Sequence, residues 1–312
     1  MTAKELEERQ RWTLNQKIDH ALGTIEAFVS RVGGLDKVYL SFSGGKDSTV
    51  LLHLVRRIFP DILAVFCNTG NEYPEIIQFV NQTKRGGVNL EIIRPKFTPR
   101  QVWSQYGFPL VGKEISYYIH QVQNNPTNKI AQLRMSRNTH FGISEKWKWL
   151  VNEPYDVHNA CCDKLKKEPF HRFEKESGRR PIIGVMASES KMRKNRYIRN
   201  GGCNIFDEKP TSQPLSIWLE QDIWDYIRLF NLPIAEIYHK GARRTGCMGC
   251  GYGAHFPGDE RFRLLLQEHP KCYEMVMNYT NNGVTFREAL RKVLAVNGRY
   301  LPDEEPKNLF DL

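Results

Sequence analysis

A six-residue run near the start of the chain carries the first recognisable chemistry. It reads Ser43, Gly44, Gly45, Lys46, Asp47 and Ser48. The run follows an apolar, β-prone segment and precedes an apolar pattern of helical period, so it predicts a glycine turn that leads into a helix N-terminus. Free backbone N–H groups and the positive end of the helix dipole meet at such a turn and attract anions. The six residues therefore predict a phosphate-binding loop.

This loop is not of the Walker A type. A Walker A loop needs a glycine five residues before its Gly-Lys pair and a Ser or Thr after the lysine. The chain has Leu40 and Asp47 at those positions. Walker-type kinase and GTPase chemistry is therefore excluded, and the alternative interpretation is a glycine turn with a solvated lysine and aspartate.

Four of the seven cysteines have spacings that suit a metal centre. Cys161 and Cys162 are adjacent, and Cys247 and Cys250 form a C-x-x-C motif about 85 positions later. A C-x-x-C motif places two thiolates on one turn, and its flanking glycines let the backbone fold around a bulky inorganic core. The chemistry leaves three alternatives: an iron–sulfur cluster, an all-cysteine zinc site, or redox-active or unrelated thiols. Adjacent cysteines argue against zinc, whose ligand pairs usually have about two to four residues between them.

The charge of the chain favours polyanionic partners. Its formal net charge is +10, with a pI near 9.2, which suits DNA or another nucleic acid as well as a nucleotide. No apolar run approaches the ~18 residues of a membrane span, and the charged start of the chain does not resemble a signal peptide. A cytoplasmic protein without a membrane partner is expected. The basic residues are clustered, and together they predict an anion-binding rim, the alternative for each cluster being a solvated face: Lys164, Lys166, Lys167, Arg179, Arg180, Lys191, Arg193, Lys194, Arg196, Arg199, Arg243 and Arg244.

The elements that must position these residues alternate along the chain. Strands are predicted at Val38–Phe42, Ile62–Asn68, Leu90–Ile93 and Pro181–Met186, with helices between them. This alternation predicts an α/β fold with a doubly wound, mostly parallel sheet that binds its ligand at the carboxyl ends of the strands. Asn68, Thr69 and Gly70 lie at such an end and are predicted to face the phosphate loop.

Three regions are predicted along the chain. Residues 1–30 form an N-terminal helical cap, residues 31–240 form the nucleotide-binding α/β domain, and residues 241–312 form a C-terminal region with the C-x-x-C motif and helices. Within the α/β domain, residues 108–154 have little clear period, so an irregular insertion or lid is predicted there.

The motifs together resemble the phosphoadenosine/adenosine phosphosulfate reductase family of the PP-loop ATP pyrophosphatase superfamily. Besides the loop and the cysteine spacing, the resemblance rests on four segments that follow in the family's order: Asn68–Glu75, Cys161–Pro169, Gly184–Arg193 and Pro214–Trp218. Together with the loop it spans residues 38 to about 256. It implies an adenine nucleotide α-hydrolase-like fold and a 4Fe-4S cluster on Cys161, Cys162, Cys247 and Cys250.

The resemblance also implies roles for the loop and its neighbours. ATP and Mg²⁺ are the expected ligands, and Ser43 to Ser48 would hold the pyrophosphate of ATP. Lys46 would supply charge at the leaving group, and Asp47 would orient the loop or a metal-bound water. Arg193 would neutralise the α-phosphate or the acceptor. Asn68, Thr69 and Gly70 would lie beside the adenosine.

Two departures from the family's reductases direct the functional prediction. Those reductases use a cysteine in a C-terminal E-C-G-L-H motif, whereas the last cysteine here is Cys272, and Met186 stands where they tend to have arginine. The chain is therefore more similar to the iron–sulfur ATP pyrophosphatases of DNA phosphorothioation. That similarity implies sulfur transfer to nucleic acid, with a cysteine desulfurase as sulfur donor and other modification subunits as partners. The alternatives are an adenylyl sulfate or phosphoadenylyl sulfate reductase and a non-catalytic nucleotide-sensing subunit.

Overall fold

The computed structural model describes residues 2–136 and 141–306. Residues 137–140 of the predicted insertion and residues 307–312 of the predicted C-terminal region lie outside the described residues. The chain divides into two compact units, each made of separate segments of sequence. Unit 1 consists of Met1–Asn68, Pro74–Arg94 and Phe170–His239, and unit 2 consists of Thr69–Tyr73, Pro95–Pro169 and Lys240–Leu312.

The regular elements are numbered in chain order. The described α-helices are α1 (Ala3–Gln10), α2 (Leu14–Val32), α3 (Lys46–Arg56), α4 (Pro74–Arg85), α5 (Pro99–Tyr106), α6 (Lys113–Asn124), α7 (Lys129–Met135), α8 (Ala160–Cys162), α9 (Glu168–Ser177), α10 (Lys191–Asn200), α11 (Glu220–Leu229), α12 (Arg261–Glu268), α13 (Pro270–Met277) and α14 (Phe286–Ala295). The described strands are β1 (Val38–Ser41), β2 (Ala64–Cys67), β3 (Leu90–Ile93), β4 (Leu110–Val111), β5 (Arg180–Ile183), β6 (Asn204–Ile205), β7 (Thr211–Ser212), β8 (Gly251–Tyr252), β9 (Thr280–Asn281) and β10 (Val284–Thr285). A π-helical turn at Asp163–Lys167 lies between α8 and α9, and short 3-10 helices include Glu145–Asn152, Ala187–Glu189 and Glu236–Tyr238.

Unit 1 contains a six-stranded sheet with the order β3-β2-β1-β5-β7-β6. All neighbouring strands are parallel except β6, which runs antiparallel to β7. The first three strands are laid down from the centre to one edge, and β5 then pairs with the other side of β1. The strand order therefore reverses between β1 and β5, which is where open α/β sheets bind ligands. The predicted α/β class with a mostly parallel sheet is confirmed.

The predicted N-terminal helices are α1 and α2, and both belong to unit 1. Helix α2 begins with a capping box at Thr13 and ends at Gly33, whose φ of 99° suits glycine. Its apolar residues include Ile18, Ile25 and Phe28, and all three are buried. The helical spacing of these residues gives α2 a single apolar face, and this face is buried.

Unit 2 holds the region predicted to be an irregular insertion, and that prediction of irregular structure is wrong. Residues 108–154 contain β4, α6, α7 and a 3-10 helix. Tyr118, Ile119 and Val122 form a buried face on α6, and the 3-10 helix buries Trp147 and Leu150. Sequence reasoning missed these elements because asparagines and glutamines interrupt their apolar pattern.

The core of unit 2 is aromatic. Trp103 lies on α5, and its ring centre is 4.7 Å from that of Phe286 on α14, which in turn lies 5.4 Å from the ring of Phe108. Strand β4 pairs in parallel with β8, so that Leu110 is opposite Gly251. This pairing fixes the backbone that follows the C-x-x-C motif. Across the described residues of both units, no helix is long and apolar enough to cross a membrane.

Candidate functional site

The six residues of the predicted phosphate loop lie between the end of β1 and the first turn of α3 in unit 1. Gly45 is the residue that precedes the helix, and Lys46 is its first residue. Gly44 has a φ of +72°, and a Cβ atom there would lie 2.9 Å from Cγ2 of Ile76. Both the backbone conformation and the lack of space therefore require glycine at position 44.

The serines of the loop hold its shape. The backbone N–H of Ser43 donates to Oγ of Ser48 over 3.2 Å, and the Ser48 hydroxyl donates to the carbonyl of Gly45 over 2.9 Å. The Ser43 hydroxyl accepts from the N–H of Gly45 over 3.3 Å. The Ser48 hydroxyl proton thus serves the loop itself, and the binding of pyrophosphate by these six residues stays a prediction.

Lys46 is the most enclosed charged residue of the loop, with 3% of its surface exposed. Its Nζ lies 3.3 Å from Oδ1 of Asp47 and 3.4 Å from Oε1 of Glu220, and 5.9 Å from the ring centre of Trp224. Its backbone N–H donates to the hydroxyl of Tyr238 over 2.9 Å. Sequence reasoning missed Glu220, Trp224 and Tyr238, because nothing in the sequence links α11 and the 3-10 turn after it to a loop more than 170 residues earlier.

Asp47 carries the second charge of the loop. Its Oδ1 atom is buried and makes no hydrogen bond within the described residues, although the Lys46 ammonium lies within ion-pair distance. A buried carboxylate oxygen that has a cation nearby but accepts no hydrogen bond can still accept one from a metal-bound water, or it can bind a metal cation. This arrangement suits the role predicted for Asp47.

The segment that follows β5 lies against the loop. A Cβ atom on Gly184 would be 3.3 Å from the carbonyl oxygen of Asp47, so glycine allows this backbone to approach closely. Met186 is buried, and its N–H donates to Oε2 of Glu189 over 2.9 Å. Arg193, at the start of α10, forms an ion pair with the same Glu189 carboxylate. To bind phosphate as predicted, Arg193 must therefore either keep Glu189 as a second partner or break this ion pair.

Asn68, Thr69 and Gly70 are divided between the units. Asn68 directly follows β2 in unit 1, and its N–H donates to the carbonyl of Ile93 over 2.9 Å. Thr69 and Gly70 belong to unit 2. Both the N–H and the hydroxyl of Thr69 donate to the carboxylate of Glu72, over 3.0 and 2.6 Å. Their place beside an adenosine stays a prediction.

The four cysteines of the predicted metal centre are neighbours in unit 2. None is in a disulfide. Burial raises the pKa of the Cys161 thiol, and the nearby thiols of Cys247, Cys162 and Cys250 raise it further. Burial also raises the pKa of Cys250 to about 11, with Cys247 as the next cause. The Cys161 and Cys250 thiols are therefore protonated at neutral pH, so a metal must displace their protons to bind them.

Hydrogen-bond donors surround the thiols. The indole N–H of Trp103 donates to Sγ of Cys161 over 3.3 Å. The ammonium of Lys166 donates to Cys247, and the charges of Cys247 and then Glu72 raise the pKa of Lys166. Lys166 was predicted only as part of a basic rim. The signal that could have found it is its position four residues after Cys162, on the same face of a helix.

Asn71 holds the C-x-x-C turn in place. Its carbonyl accepts from the N–H of Met248 over 2.8 Å, and its Oδ1 accepts from the N–H of Gly249 over 3.4 Å. Gly249 has no room for a side chain, since a Cβ atom there would lie 2.5 Å from Cγ1 of Val276. Asn71 is buried, and its Nδ2 makes no hydrogen bond within the described residues. The side-chain amide of Asn71 therefore remains available as a hydrogen-bond donor beside the C-x-x-C motif.

The four cysteines and the donors around them form a candidate metal centre. Within residues 2–136 and 141–306, no three His, Cys, Asp or Glu side chains lie close enough to hold one metal ion. Four neighbouring thiols with N–H donors around them are the kind of ligand set that holds an iron–sulfur cluster.

Cys203 lies apart in sequence and belongs to unit 1. It is buried, and burial raises its pKa to about 11. Its neighbours include Ser216 and Tyr197, whose hydroxyls partly offset that effect. A buried, protonated thiol is a weak nucleophile, so Cys203 is better suited to packing than to sulfur relay.

The predicted basic rim is partly neutralised. On α10, Lys194 lies 3.0 Å from Glu7, and Arg193 pairs with Glu189, whereas Arg196 and Arg199 are exposed. Among the other clusters, the Arg179 guanidinium donates to the carbonyl of Val38 over 2.9 Å. Lys191, Arg243 and Arg244 are exposed as well, so these five side chains are placed to meet an external polyanion.

The comparisons with known proteins agree with this arrangement. The model of the phosphoadenosine phosphosulfate reductase domain matches residues 37–114 and 113–252, which include the loop and all four clustered cysteines. The match covers more than half of the chain. The chain belongs to this family.

Curated relatives of this phosphosulfate reductase family member are distant. An adenosine 5'-phosphosulfate reductase 2 of Bacillus subtilis is 24% identical over 241 residues, which are 76% of this chain and 82% of the relative. An uncharacterized protein of Methanocaldococcus jannaschii is 27% identical over 213 residues, and the match covers 67% of this chain but only 40% of that relative. Among solved structures, a phosphoadenylyl-sulfate reductase of Candida auris in a phosphate complex aligns with a TM-score of 0.45 at 13% identity, covering 79% of this chain and 96% of that one.

Proposed function

We propose that the protein is an adenylating ATP pyrophosphatase that prepares an acceptor for sulfur transfer. The observation that carries the proposal is the environment of Lys46 in the first turn of α3. One enclosed ammonium lies between two carboxylates, from Asp47 and Glu220, at the switch point of the sheet. Mg²⁺ commonly binds through one or two carboxylates together with substrate phosphates, so the Asp47 carboxylate beside the Lys46 ammonium suits magnesium pyrophosphate.

In the proposed reaction, an oxygen of the acceptor attacks the α-phosphorus of ATP. The bond between that phosphorus and the oxygen bridging to the β-phosphate breaks, and pyrophosphate leaves with the bond electrons. The N–H groups at the start of α3 and the ammonium of Lys46 stabilise the departing charge. Asp47 would hold Mg²⁺ or its bound water, and Mg²⁺ would neutralise the phosphate oxygens. The adenylated acceptor then carries AMP as its leaving group, which sulfide or the terminal sulfur of a persulfide displaces. With a persulfide, the new linkage still contains a sulfur–sulfur bond, and a thiol reductant must break that bond to release the sulfurised acceptor.

We propose that Cys161, Cys162, Cys247 and Cys250 hold a 4Fe-4S cluster. The four neighbouring thiols and the orphaned Asn71 amide support it. A bound cluster would supply an electron reservoir or a fixed charge. With a cysteine for each iron, it would offer no open position to carry sulfur. The protein itself contributes N–H donors from Trp103 and Lys166, which stabilise the thiolate form of two ligands.

The acceptor is proposed to be DNA or another nucleic acid, with a cysteine desulfurase and other modification subunits as partners. The net charge of +10 supports a polyanionic acceptor. Exposed Arg196 and Arg199 on α10 lie six residues or fewer from Arg193, on the helix that follows the β5 segment packed on the loop. The acceptor would approach over this helix.

A second candidate is a sulfonucleotide reductase, which the names of the relatives favour. Adenosine 5'-phosphosulfate reductases of several bacteria match about 70% of the chain at 23–24% identity. Two features weigh against it in unit 1. Met186 places a buried apolar side chain where a cation would be needed, and the nearby Arg193 is paired with a carboxylate. A third candidate is a nucleotide-sensing subunit without catalysis.

One experiment separates these candidates. The full chain is purified without oxygen and incubated with magnesium ATP or with adenylyl sulfate and a thiol reductant, and pyrophosphate and sulfite are measured side by side. The proposal expects pyrophosphate from ATP, increased by an oligonucleotide acceptor, and no sulfite from adenylyl sulfate. Sulfite without pyrophosphate would establish the reductase. Nucleotide binding without either product would favour the sensing subunit.

A further inference from the structure

The side chain of Lys46 is enclosed by a single later segment of unit 1. Glu220 and Trp224 lie on α11, and Tyr238 ends the 3-10 turn Glu236–Tyr238. The carboxylate of Glu220 lies 3.4 Å from Lys46 Nζ, and the Tyr238 hydroxyl accepts the backbone N–H of Lys46 over 2.9 Å. This segment therefore holds both the charge and the backbone of the lysine.

The contacts made by Glu220 conflict with the task proposed for Lys46. Two carboxylates already surround one ammonium, so the local charge is negative where a polyphosphate must bind. Like charges brought together in a partly enclosed site repel strongly. The phosphate must therefore take the place of one of the carboxylates.

The two carboxylates differ in their freedom to leave. Asp47 belongs to the loop, and its side chain is 27% exposed. Glu220 lies in the first turn of α11, and its side chain is 52% exposed, so it can turn into solvent at little cost. The backbone of Lys46 is anchored to Tyr238, whose ring makes an edge contact with Trp224 at 5.9 Å. Replacement of Glu220 by phosphate therefore requires side chains to move, while the backbone of the loop stays in place.

We infer that Glu220 is an exchangeable counter-ion of Lys46 and that it competes with pyrophosphate for the lysine. In the empty site the carboxylate keeps the enclosed ammonium paired, which lowers the energetic cost of its burial. When the nucleotide binds, its phosphates replace Glu220. After the bond breaks, Glu220 returns and assists the release of pyrophosphate. Glu220 is a positioning residue, and the inference rests on the proposed function.

The test measures the binding of inorganic pyrophosphate with Mg²⁺ to the full chain by calorimetry. Glu220→Gln should bind pyrophosphate roughly fivefold more tightly than the wild type, the effect of removing a half-exposed ion pair. Glu220→Asp keeps the charge and should stay near the wild type. Glu236→Gln is the matched control, because Glu236 is an exposed glutamate at the start of the adjoining 3-10 turn, and it should change the affinity less than about twofold.

Steady-state kinetics distinguish this role of Glu220 from a merely structural one. In Glu220→Gln, KM for ATP should fall and product inhibition by pyrophosphate should strengthen, while kcat stays the same or falls. Weaker or unchanged pyrophosphate binding in Glu220→Gln, with binding lost in Lys46→Ala, would overturn the inference and leave the proposed function standing. A wild-type chain that binds neither pyrophosphate nor ATP would overturn both. If Glu220→Gln does not fold, Glu220→Asp provides the test. Pyrophosphate binding by Glu220→Asp that is tighter than binding by the wild type would contradict the inference.

Discussion

The phosphate loop of unit 1 takes its shape from six consecutive residues, whereas the cysteine centre of unit 2 is assembled from stretches of chain far apart in sequence. In the loop, Ser43, Gly45 and Ser48 satisfy one another's hydrogen bonds. In the cysteine centre, Asn71 holds the turn at Gly249, and Trp103 donates to Cys161. A locally specified site tolerates distant changes, while a centre assembled from separate segments depends on each of them. The predictions below test this contrast.

The largest effect is expected at the lysine of the loop. Lys46→Ala removes the charge proposed to stabilise the departing pyrophosphate, so kcat/KM for pyrophosphate release should fall by at least about 100-fold. The fold should stay intact, although the melting temperature should fall, because the buried Asp47 Oδ1 loses its neighbouring cation. Lys37→Ala is the control, since Lys37 pairs with the exposed Asp36 over 3.1 Å and precedes β1. Equal loss of activity in both variants would assign the effect to general charge rather than to the loop.

The cysteine centre should fail when any one ligand is removed. In Cys247→Ser or Cys250→Ser, anaerobically purified protein should lose most of its iron and its visible absorption, because an alcohol is a poor ligand for iron compared with a thiolate. Cys272→Ser removes a half-buried thiol outside the set and should retain the iron. Metal analysis and absorption spectra decide the matter. A colourless wild-type protein with one zinc per chain would refute the proposed cluster.

A change at Asn71 tests whether a residue far from the cysteines in sequence matters to them. Asn71→Ala leaves the N–H of Gly249 buried without its acceptor, which should lower the free energy of unfolding by about 1–3 kcal/mol. Asn71→Asp keeps an acceptor but replaces the buried amide with a negative charge beside four thiols, so it should reduce iron content as well as stability. Chemical denaturation and metal analysis of both variants provide the comparison. If Asn71→Asp retained full iron occupancy, the amide would have no role toward the metal centre.

The two regions should also differ in their response to acid. Burial and then the neighbouring His120 lower the pKa of His158, in unit 2, to about 4, and its Nδ1 accepts from the N–H of Ala160 over 2.6 Å. The unfolded chain, with a pKa near 6.5, therefore binds more protons than the folded chain between these values. The stability that His158 contributes is complete above about pH 6.5 and is lost as the pH falls toward about 4.

His158→Asn keeps an acceptor for Ala160 and removes the titration. Its free energy of unfolding should fall less steeply than that of the wild type between about pH 6.5 and 4. Urea denaturation across this range gives both slopes. Parallel slopes would show that His158 is not protonated on unfolding in this window.

The smallest effect is expected at the surface. Arg196→Ala with Arg199→Ala should weaken binding to duplex DNA and reduce the slope of log affinity against log salt by up to about 1.8, or about 0.9 per phosphate contact. Pyrophosphate release without DNA should not change. Lys84→Ala with Arg85→Ala removes the same charge from the end of α4 and serves as the control. If the control flattened the slope equally, DNA attraction would reflect net charge alone.

The parts of the molecule that were predictable from the sequence are those specified locally. Strand β3 has the predicted bounds, Leu90–Ile93, and the loop lies between a strand and a helix as its glycines indicated. Apolar runs bounded by turns give such elements directly. Helix α6 was missed because its buried residues, Tyr118 and Ile119 among them, stand among polar ones.

The side chains that complete each site could not be predicted, for a physical reason. Glu220 and Tyr238 meet Lys46 only after the sheet has formed, and Lys166 meets Cys247 across about 80 residues of sequence. Contacts of this kind depend on tertiary packing, which leaves no periodic signal in the chain. The division into interleaved units is equally hidden.

Because the units are interleaved in sequence, the two cysteine pairs of unit 2 are synthesised at different times. Cys162 leaves the ribosome well before Cys247, which follows 85 residues later. At roughly 5–20 residues per second, translation of that interval takes about 4–17 s. During this delay the adjacent pair Cys161–Cys162 has no C-x-x-C turn to share a metal with, and it is open to oxidants and stray cations. Loading of the proposed cluster would therefore wait until the last third of the chain has emerged, which would make it a late step in the maturation of the protein.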